Sequence, residues 1–350
     1  MNSNRDWSPT RLSEFIGQSN VMKQLHVEIK AAKLTRRQMR HTVFGGPQGV
    51  GKTLLAKLIA AEFGGPCPTE VMGKSLTHEQ LTQALLAFTS GGYETGGYLA
   101  YPDQAHQNFL IIDEAQQVSR ELLNLLHPVL DPAPDGRRIF QGKHARGQIQ
   151  PVWIVGFTCI LITNYLGRLA EVSAPTLSRF PISFQFEWYT EEEIVKTIRQ
   201  YAFHLGITIA EDALQLLARR SNGMPRAALS LLRRTMDLHL AEGNSGPVTI
   251  KGIEAMLNMV GIDGNGLDRS MVRYLKALCE HPSGRLSLQS LQAVLDTDSS
   301  TLLHCIEPIL MKKGMVLRCS SGREITNTGR AALGMAGGNP DDRFFSRRIA

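Results

Sequence analysis

Eight consecutive residues, Gly46-Pro47-Gln48-Gly49-Val50-Gly51-Lys52-Thr53, fit the pattern G-x-x-x-x-G-K-[ST]. Glycines at those positions let the backbone turn with positive φ, so that N–H groups converge on phosphate oxygens. Lys52 then supplies a point charge to the β- and γ-phosphates, and the Thr53 hydroxyl is a ligand for Mg²⁺. With Leu54, which starts an apolar helical spacing, this stretch is the expected nucleotide cradle. A second group lies at Asp113-Glu114, after the apolar run Phe109-Leu110-Ile111-Ile112. There Asp113 would hold Mg²⁺ and Glu114 would deprotonate the attacking water. The plain alternative is two acids that end a strand.

Three further side chains are candidates for the same chemistry. Asn164 closes the run from Trp153 to Thr163. It could hold the lytic water, feel the γ-phosphate or cap a turn. Arg226 follows Met224-Pro225 at a helix start, against the dipole's preference for an anion. Reaching a phosphate would explain that cation; so would simple solvation. Arg179, in Thr176-Leu177-Ser178-Arg179-Phe180, precedes a further strand. It would serve as a surface ion-pair partner or reach a neighbouring subunit.

The elements that must position these groups are legible as patterns. Thr42-Val43-Phe44 reads as a buried strand entering the loop, and Leu54, Leu55, Leu58 and Ile59 repeat at helical spacing after it. Asn108–Ile112, Trp153–Thr163 and Ile182–Phe186 read as further buried strands of a parallel sheet, whose ligands sit beyond the carboxyl ends of the strands. Val21 to Ala32 and Leu122 to Val129 read as helices, and residues 90–107 as a surface loop. Pro132 to Gln150 reads as a projecting hairpin or loop. From Thr190 the texture turns helical, with Thr190 and Glu193 as a capping box. The last third reads as helices over 269–280, 286–295 and 299–313. Strands at 315–319 and 324–326 follow, around a Ser-Ser-Gly turn. Three helices and a basic ribbon describe a winged helix, a module for duplex DNA or for protein docking.

Bulk properties narrow the class. The 350 residues suffice for two or three domains, and 43% hydrophobic with 20% charged residues is ordinary for a soluble protein. No apolar run reaches a membrane span, and the start lacks the apolar core of a secretory signal. Five scattered cysteines without C-x-x-C argue for a reducing interior, so the expected compartment is cytoplasmic. The net charge of +6 permits a polyanionic partner. Residues 263–350 hold 12 Lys/Arg against 9 Asp/Glu.

Together these landmarks resemble AAA+ ATPases, and their whole order resembles the RuvB branch-migration family. Pro9 to Gln18 is similar to that family's adenine-side segment, which implies nucleotide contact at Ile16 and Gly17. Asp113-Glu114 matches the second ATPase motif, Thr163-Asn164 the first sensor and Gly223-Met224-Pro225-Arg226 the second. Arg179 matches the arginine finger that completes an adjacent subunit's site. Glu307-Pro308 and Arg318-Cys319-Ser320-Ser321-Gly322-Arg323 resemble the winged-helix end, which implies DNA contact by Arg318 and Arg323.

The resemblance implies an α/β fold. It would comprise an AAA+ P-loop parallel-sheet domain over 1–184, a helical lid over 185–262, a winged helix over 263–337 and a flexible tail over 338–350. It further implies ATP with Mg²⁺, a homo-oligomeric ring, typically hexameric, and movement on duplex or branched DNA. In the family a projecting hairpin docks a junction-binding partner, RuvA. The sequence departs from the pattern at Ser8, Gln48, Gln116-Gln117 and Ser321, and in the longer segments 65–107 and 131–157. A nucleotide-gated loader or switch, or a DNA-binding regulator, stays open as an alternative; a guanine-binding N-K-x-D is absent.

Overall fold

The apolar runs become the strands of one five-stranded sheet. A computed structural model gives the structure and describes residues 7–64, 67–88, 107–131, 138–143, 147–154 and 156–335. The tail 338–350 and nearly all of the expected loop 90–107 lie outside the described residues. The chain divides into two compact units, Met1–Thr197 with Met224–Arg226, and Ile198–Gly223 with Ala227–Ala350.

In the first unit the elements run α1 (Ser19–Leu34), β1 (Thr42–Gly45), α2 (Lys52–Glu62), β2 (Thr69–Met72), α3 (His78–Leu86) and β3 (Asn108–Asp113). Then come α4 (Arg120–Leu125), α5 (His127–Leu130), β4 (Arg138–Lys143), β5 (Ile149–Ile154), β6 (Phe157–Thr163), α6 (Leu166–Val172), α7 (Ala174–Leu177), β7 (Ile182–Gln185) and α8 (Glu191–His204), whose residues from Ile198 belong to the second unit. The sheet order is β2-β3-β6-β1-β7, with every pairing parallel. Parallel strands covered on both faces need apolar side chains throughout, and β6 is buried at all seven positions. Leu110 and Ile112 join one core with Leu81, Leu85, Leu123 and Phe140. Phe109, one residue out of phase, packs instead against Phe63 beyond α2. The order places β1 between β6 and β7. The residues after β1, β3 and β6 therefore share the carboxyl edge, where a ligand belongs.

Two expected elements are divided. The run from Trp153 to Asn164 is not one strand. Trp153 and Ile154 end β5, which pairs antiparallel with β4, so the hairpin anticipated over Pro132 to Gln150 runs on to Ile154, and the central strand starts at Phe157. A continuous apolar run does not record which sheet each part joins. The helix expected from Leu122 to Val129 breaks at Leu126. Pro128 has no N–H for the helical ladder and its ring crowds the preceding turn, so it is accommodated as the second residue of a new helix.

The second unit continues with α9 (Glu211–Arg220), α10 (Pro225–Ala241), α11 (Ile250–Val260) and α12 (Arg269–Glu280). β8 (Arg285–Leu286), α13 (Leu288–Leu295) and α14 (Ser299–Thr301) follow. After a π turn at Leu302–Ile306 come α15 (Glu307–Lys312), β9 (Val316–Cys319), β10 (Gly322–Ile325) and α16 (Asn327–Ala332). The π turn has the same cause as the break at Leu126, because Pro308 cannot donate to the carbonyl four residues earlier. β8, β10 and β9 form a three-stranded antiparallel sheet beside α12, α13 and the α14–α15 rod, the architecture of a winged helix. The expected helix from residue 286 starts at Leu288, because Arg285 and Leu286 are drawn into this sheet and Ser287 caps the helix by accepting from Ser290 N.

Candidate nucleotide site

The loop after β1 turns sharply because Gly46 (φ 139°) passes against the exit of β7; a Cβ there would stand 2.5 Å from the Phe186 carbonyl oxygen. That approach leaves the loop wrapped around its own lysine. Lys52 is 5% exposed. Its Nζ donates to the carbonyl oxygens of Gly46 at 2.8 Å and Pro47 at 2.6 Å, and to Asn164 Oδ1 at 2.8 Å. Burial holds its pKa down at about 8, Asp113 and Glu114 oppose that shift, and Arg226 adds to it.

Thr53, on the first turn of α2, donates from Oγ1 to Asp113 Oδ2 at 2.6 Å. The other carboxylate oxygen accepts the Glu114 N–H at 2.8 Å. A hydroxyl and a carboxylate in contact form a hard-oxygen pair suited to Mg²⁺. Among the described residues no three His, Cys, Asp or Glu side chains cluster as a metal cage.

Glu114 adopts the left-handed backbone region (φ 53°), uncommon for a residue with a Cβ and typical of functional turns. Its carbonyl packs onto Gly73, where a Cβ would lie 2.4 Å from that oxygen. Both carboxylate oxygens are occupied: Oε1 accepts from Asn164 Nδ2 at 2.8 Å, and Oε2 accepts from Gln116 Nε2. Lys52, Asn164, Glu114 and Gln116 thus form one chain of hydrogen bonds across the ends of β1, β6 and β3.

Arg226 joins them, its N–H reaching the Gly49 carbonyl at 3.4 Å. Ile16 and Gly17 both lie against Tyr189. The Tyr189 hydroxyl donates to the Ile16 carbonyl at 2.7 Å, and the Gln18 amide makes paired bonds with the Glu187 backbone at 2.7 and 3.0 Å. The Phe15 ring stands beside Gly51.

Two expected groups stand elsewhere. Arg179 makes none of these contacts. Its Nε pairs with Asp131 Oδ2 at 2.5 Å and its Nη1 donates to the Pro175 carbonyl at 2.6 Å. Beside it His127 Nε2 bonds Thr176 Oγ1 at 2.8 Å, and burial, then the Arg179 charge, lower the histidine's pKa. Arg318 and Arg323 both turn to Glu307, which is wholly buried. Arg318 Nε reaches Oε2 at 2.7 Å, Arg323 Nε reaches Oε1 at 2.9 Å, and the Tyr274 hydroxyl donates to Oε1 at 3.1 Å. Sequence reasoning missed Asp131 and Glu307 as partners, and it noted Gln116 only as a departure from pattern. The available signal was a glutamine two positions after the acidic pair; its burial belongs to the fold.

A phosphate-binding loop on a 5-stranded parallel sheet, followed by a helical segment and a winged helix, defines a P-loop nucleotide-binding protein of the AAA+ class. The family models that match are the Holliday junction DNA helicase RuvB P-loop domain over residues 7–91, the RuvB AAA lid domain over 189–263 and the RuvB C-terminal winged helix domain over 264–334. The Holliday junction branch migration complex subunit RuvB of Kosmotoga olearia is 31% identical over 95% of this chain and 91% of its own length. That of Paracoccus denitrificans is also 31% identical, over 96% and 93%. The structure of the Thermotoga maritima RuvB Holliday junction branch migration motor superposes with a TM-score of 0.78 at 27% identity, over 94% of this chain and 98% of that one. The chain belongs to the RuvB family. The Aeropyrum pernix ORC2 protein, at 15% identity and a TM-score of 0.55, shares the fold alone.

Proposed function

We propose that the chain is an ATP-driven DNA motor of the RuvB type, a ring subunit that hydrolyses ATP where two copies meet and moves duplex or branched DNA. The observation that supports it best is the hydrogen-bond chain from Lys52 through Asn164 to Glu114, beside the Thr53–Asp113 pair. The reading is supported by the nearness of Lys52, Thr53, Asp113, Glu114 and Asn164, whose hydrogen bonds to one another and to the loop ATP would replace.

Lys52 exchanges the Gly46 and Pro47 carbonyls for the β- and γ-phosphates, and Arg226 closes over the loop. Thr53 and Asp113 would hold Mg²⁺, which when bound would supply positive charge against the phosphate oxygens. Glu114 takes a proton from water as the water oxygen attacks the γ-phosphorus. The bond to the bridging oxygen breaks, and ADP and phosphate leave. Arg179, released from Asp131, completes the neighbouring copy's site.

DNA contact by Arg318 and Arg323 is confined to the part of each guanidinium not turned to Glu307. The working division of the chain stays 1–184, 185–262 and 263–337, a RuvA-like protein is the candidate partner for the β4–β5 hairpin, and the cytoplasm is the expected compartment. Among the described residues no helix is long and apolar enough to cross a membrane.

The test is ATP turnover without DNA, with linear duplex and with a four-way junction, alongside particle mass in ATP. Junction-stimulated turnover by a ring, with migration of the junction, is expected. Turnover stimulated by DNA without any migration would replace the motor by a loader or switch. No turnover in any condition would overturn the enzyme reading.

A further inference from the structure

Gln116 is 3% exposed, and among the described residues its side chain makes a single hydrogen bond, from Nε2 to Glu114 Oε2. Its own Oε1 is buried with no partner. The orientation of an amide follows from its neighbours. A carboxylate only accepts, so Nε2 must face Glu114 and the orphaned atom must be the oxygen. Such an atom weakens the fold, because an apolar side chain of the same shape would remove an unsatisfied acceptor. Packing alone therefore gives no reason for a glutamine here.

The reason lies in what happens to the other oxygen of Glu114. Oε1 is held by Asn164, whose amide oxygen in turn holds Lys52. On the ATPase reading, which this inference rests on, a γ-phosphate draws both Lys52 and Asn164 toward itself. Oε1 then loses its donor and becomes the atom that receives water's proton. The Glu114 backbone is held by its bond to Asp113 and by Gly73, but its side chain would be free to swing away were nothing else holding it. The one donor that the phosphate does not recruit is Gln116, two residues along that turn. We propose that Gln116 is a positioning residue for hydrolysis. It anchors Glu114 by Oε2 while Asn164 exchanges partners, so that Oε1 stays aimed at the lytic water.

The experiment uses the full chain with DNA and compares Gln116→Leu and Gln116→Met, each alone and in the Glu114→Gln background. ATP turnover, KM for ATP and the melting temperature are measured. Either variant alone should lower kcat about tenfold or more, leave KM within about twofold, and leave melting unchanged or raised. In the Glu114→Gln background, read by single turnover, the same substitutions should have no further effect, because they act through that carboxylate. An unchanged kcat in both variants would overturn the inference, as would an equal loss in the Glu114→Gln background. Falling melting temperatures with KM and kcat moving together would reassign Gln116 to packing. Active wild type with indifferent Gln116 variants strikes this inference alone, whereas inactive wild type strikes the ATPase reading and this inference with it.

Discussion

Lys52 and Glu307 are both charged side chains taken almost wholly out of water, at 5% and 0% exposure, yet their surroundings are built in opposite ways. Lys52 is met by two backbone carbonyls and one amide oxygen. These are dipoles, and the nearest carboxylates are engaged with Thr53, Asn164 and Gln116. The ammonium is under-compensated, which its lowered pKa records, so an arriving phosphate improves its situation. Glu307 is met by two guanidinium groups and a phenol. Its charge is over-matched inside the fold, and a new anion offers those arginines less. Buried charge marks a binding site when its partners are weak, and a structural joint when they are strong.

The largest test of this contrast lies at Arg179, a cation paired with the exposed carboxylate of Asp131. Arg179→Ala should bind ATP normally yet lose about 10³–10⁵ in turnover if the residue completes a neighbour's site. Near-wild-type turnover would leave Arg179 as no more than Asp131's partner. Next, Glu307→Ala should destabilise the winged helix by ~3–5 kcal/mol, because two arginines and a phenol lose their common acceptor. Calorimetry of the full chain should show that transition move while nucleotide affinity holds, and an unmoved transition would remove the joint.

A smaller effect follows from the pH dependence of Lys52. Its pKa in the folded, nucleotide-free chain, about 8, lies below the ordinary value of 10.5. The charged lysine therefore weakens the fold below pH 8, and this penalty fades as pH rises toward 10.5. Binding has the opposite sign. Phosphate favours the charged form, so ATP affinity should be full below pH 8 and fall by up to about tenfold per pH unit above it. Titration calorimetry at pH 7 and 9.5 measures this, and equal affinities would mean that the lysine is not depressed. The smallest effect is expected at the wing. Arg318→Gln and Arg323→Gln should each reduce the slope of log affinity for DNA against log salt by no more than about 0.9, one phosphate contact. An unchanged slope would assign both arginines wholly to Glu307.

Charge reversal at these arginines would confuse the two roles, since a new carboxylate would face a buried one. Nothing in the spacing of Arg318 and Arg323 warned of this, because Glu307 stands 11 and 16 residues before them and meets them only when β9 and β10 fold beside α15. The strand β8 was equally hidden, since two residues are too few to display an alternation. The run through Trp153 and Phe157 was legible as apolar but not as two strands of different sheets.

What the sequence determined on its own is whatever a few neighbouring residues can do by their covalent geometry. The glycines that let the loop turn, the lysine and threonine at its end, the acids that follow an apolar strand and the Thr190–Glu193 cap all act within a handful of positions. They were readable without coordinates. Tertiary structure alone decided which ends of β1, β3 and β6 are adjacent, that Gln116 and Asn164 share one carboxylate, and that Arg179 rests on Asp131. It also decided that the wing's arginines are joined to a buried glutamate. Those pairings cross tens of residues and depend on strand order and on which groups lose their water, and neither is written in local spacing.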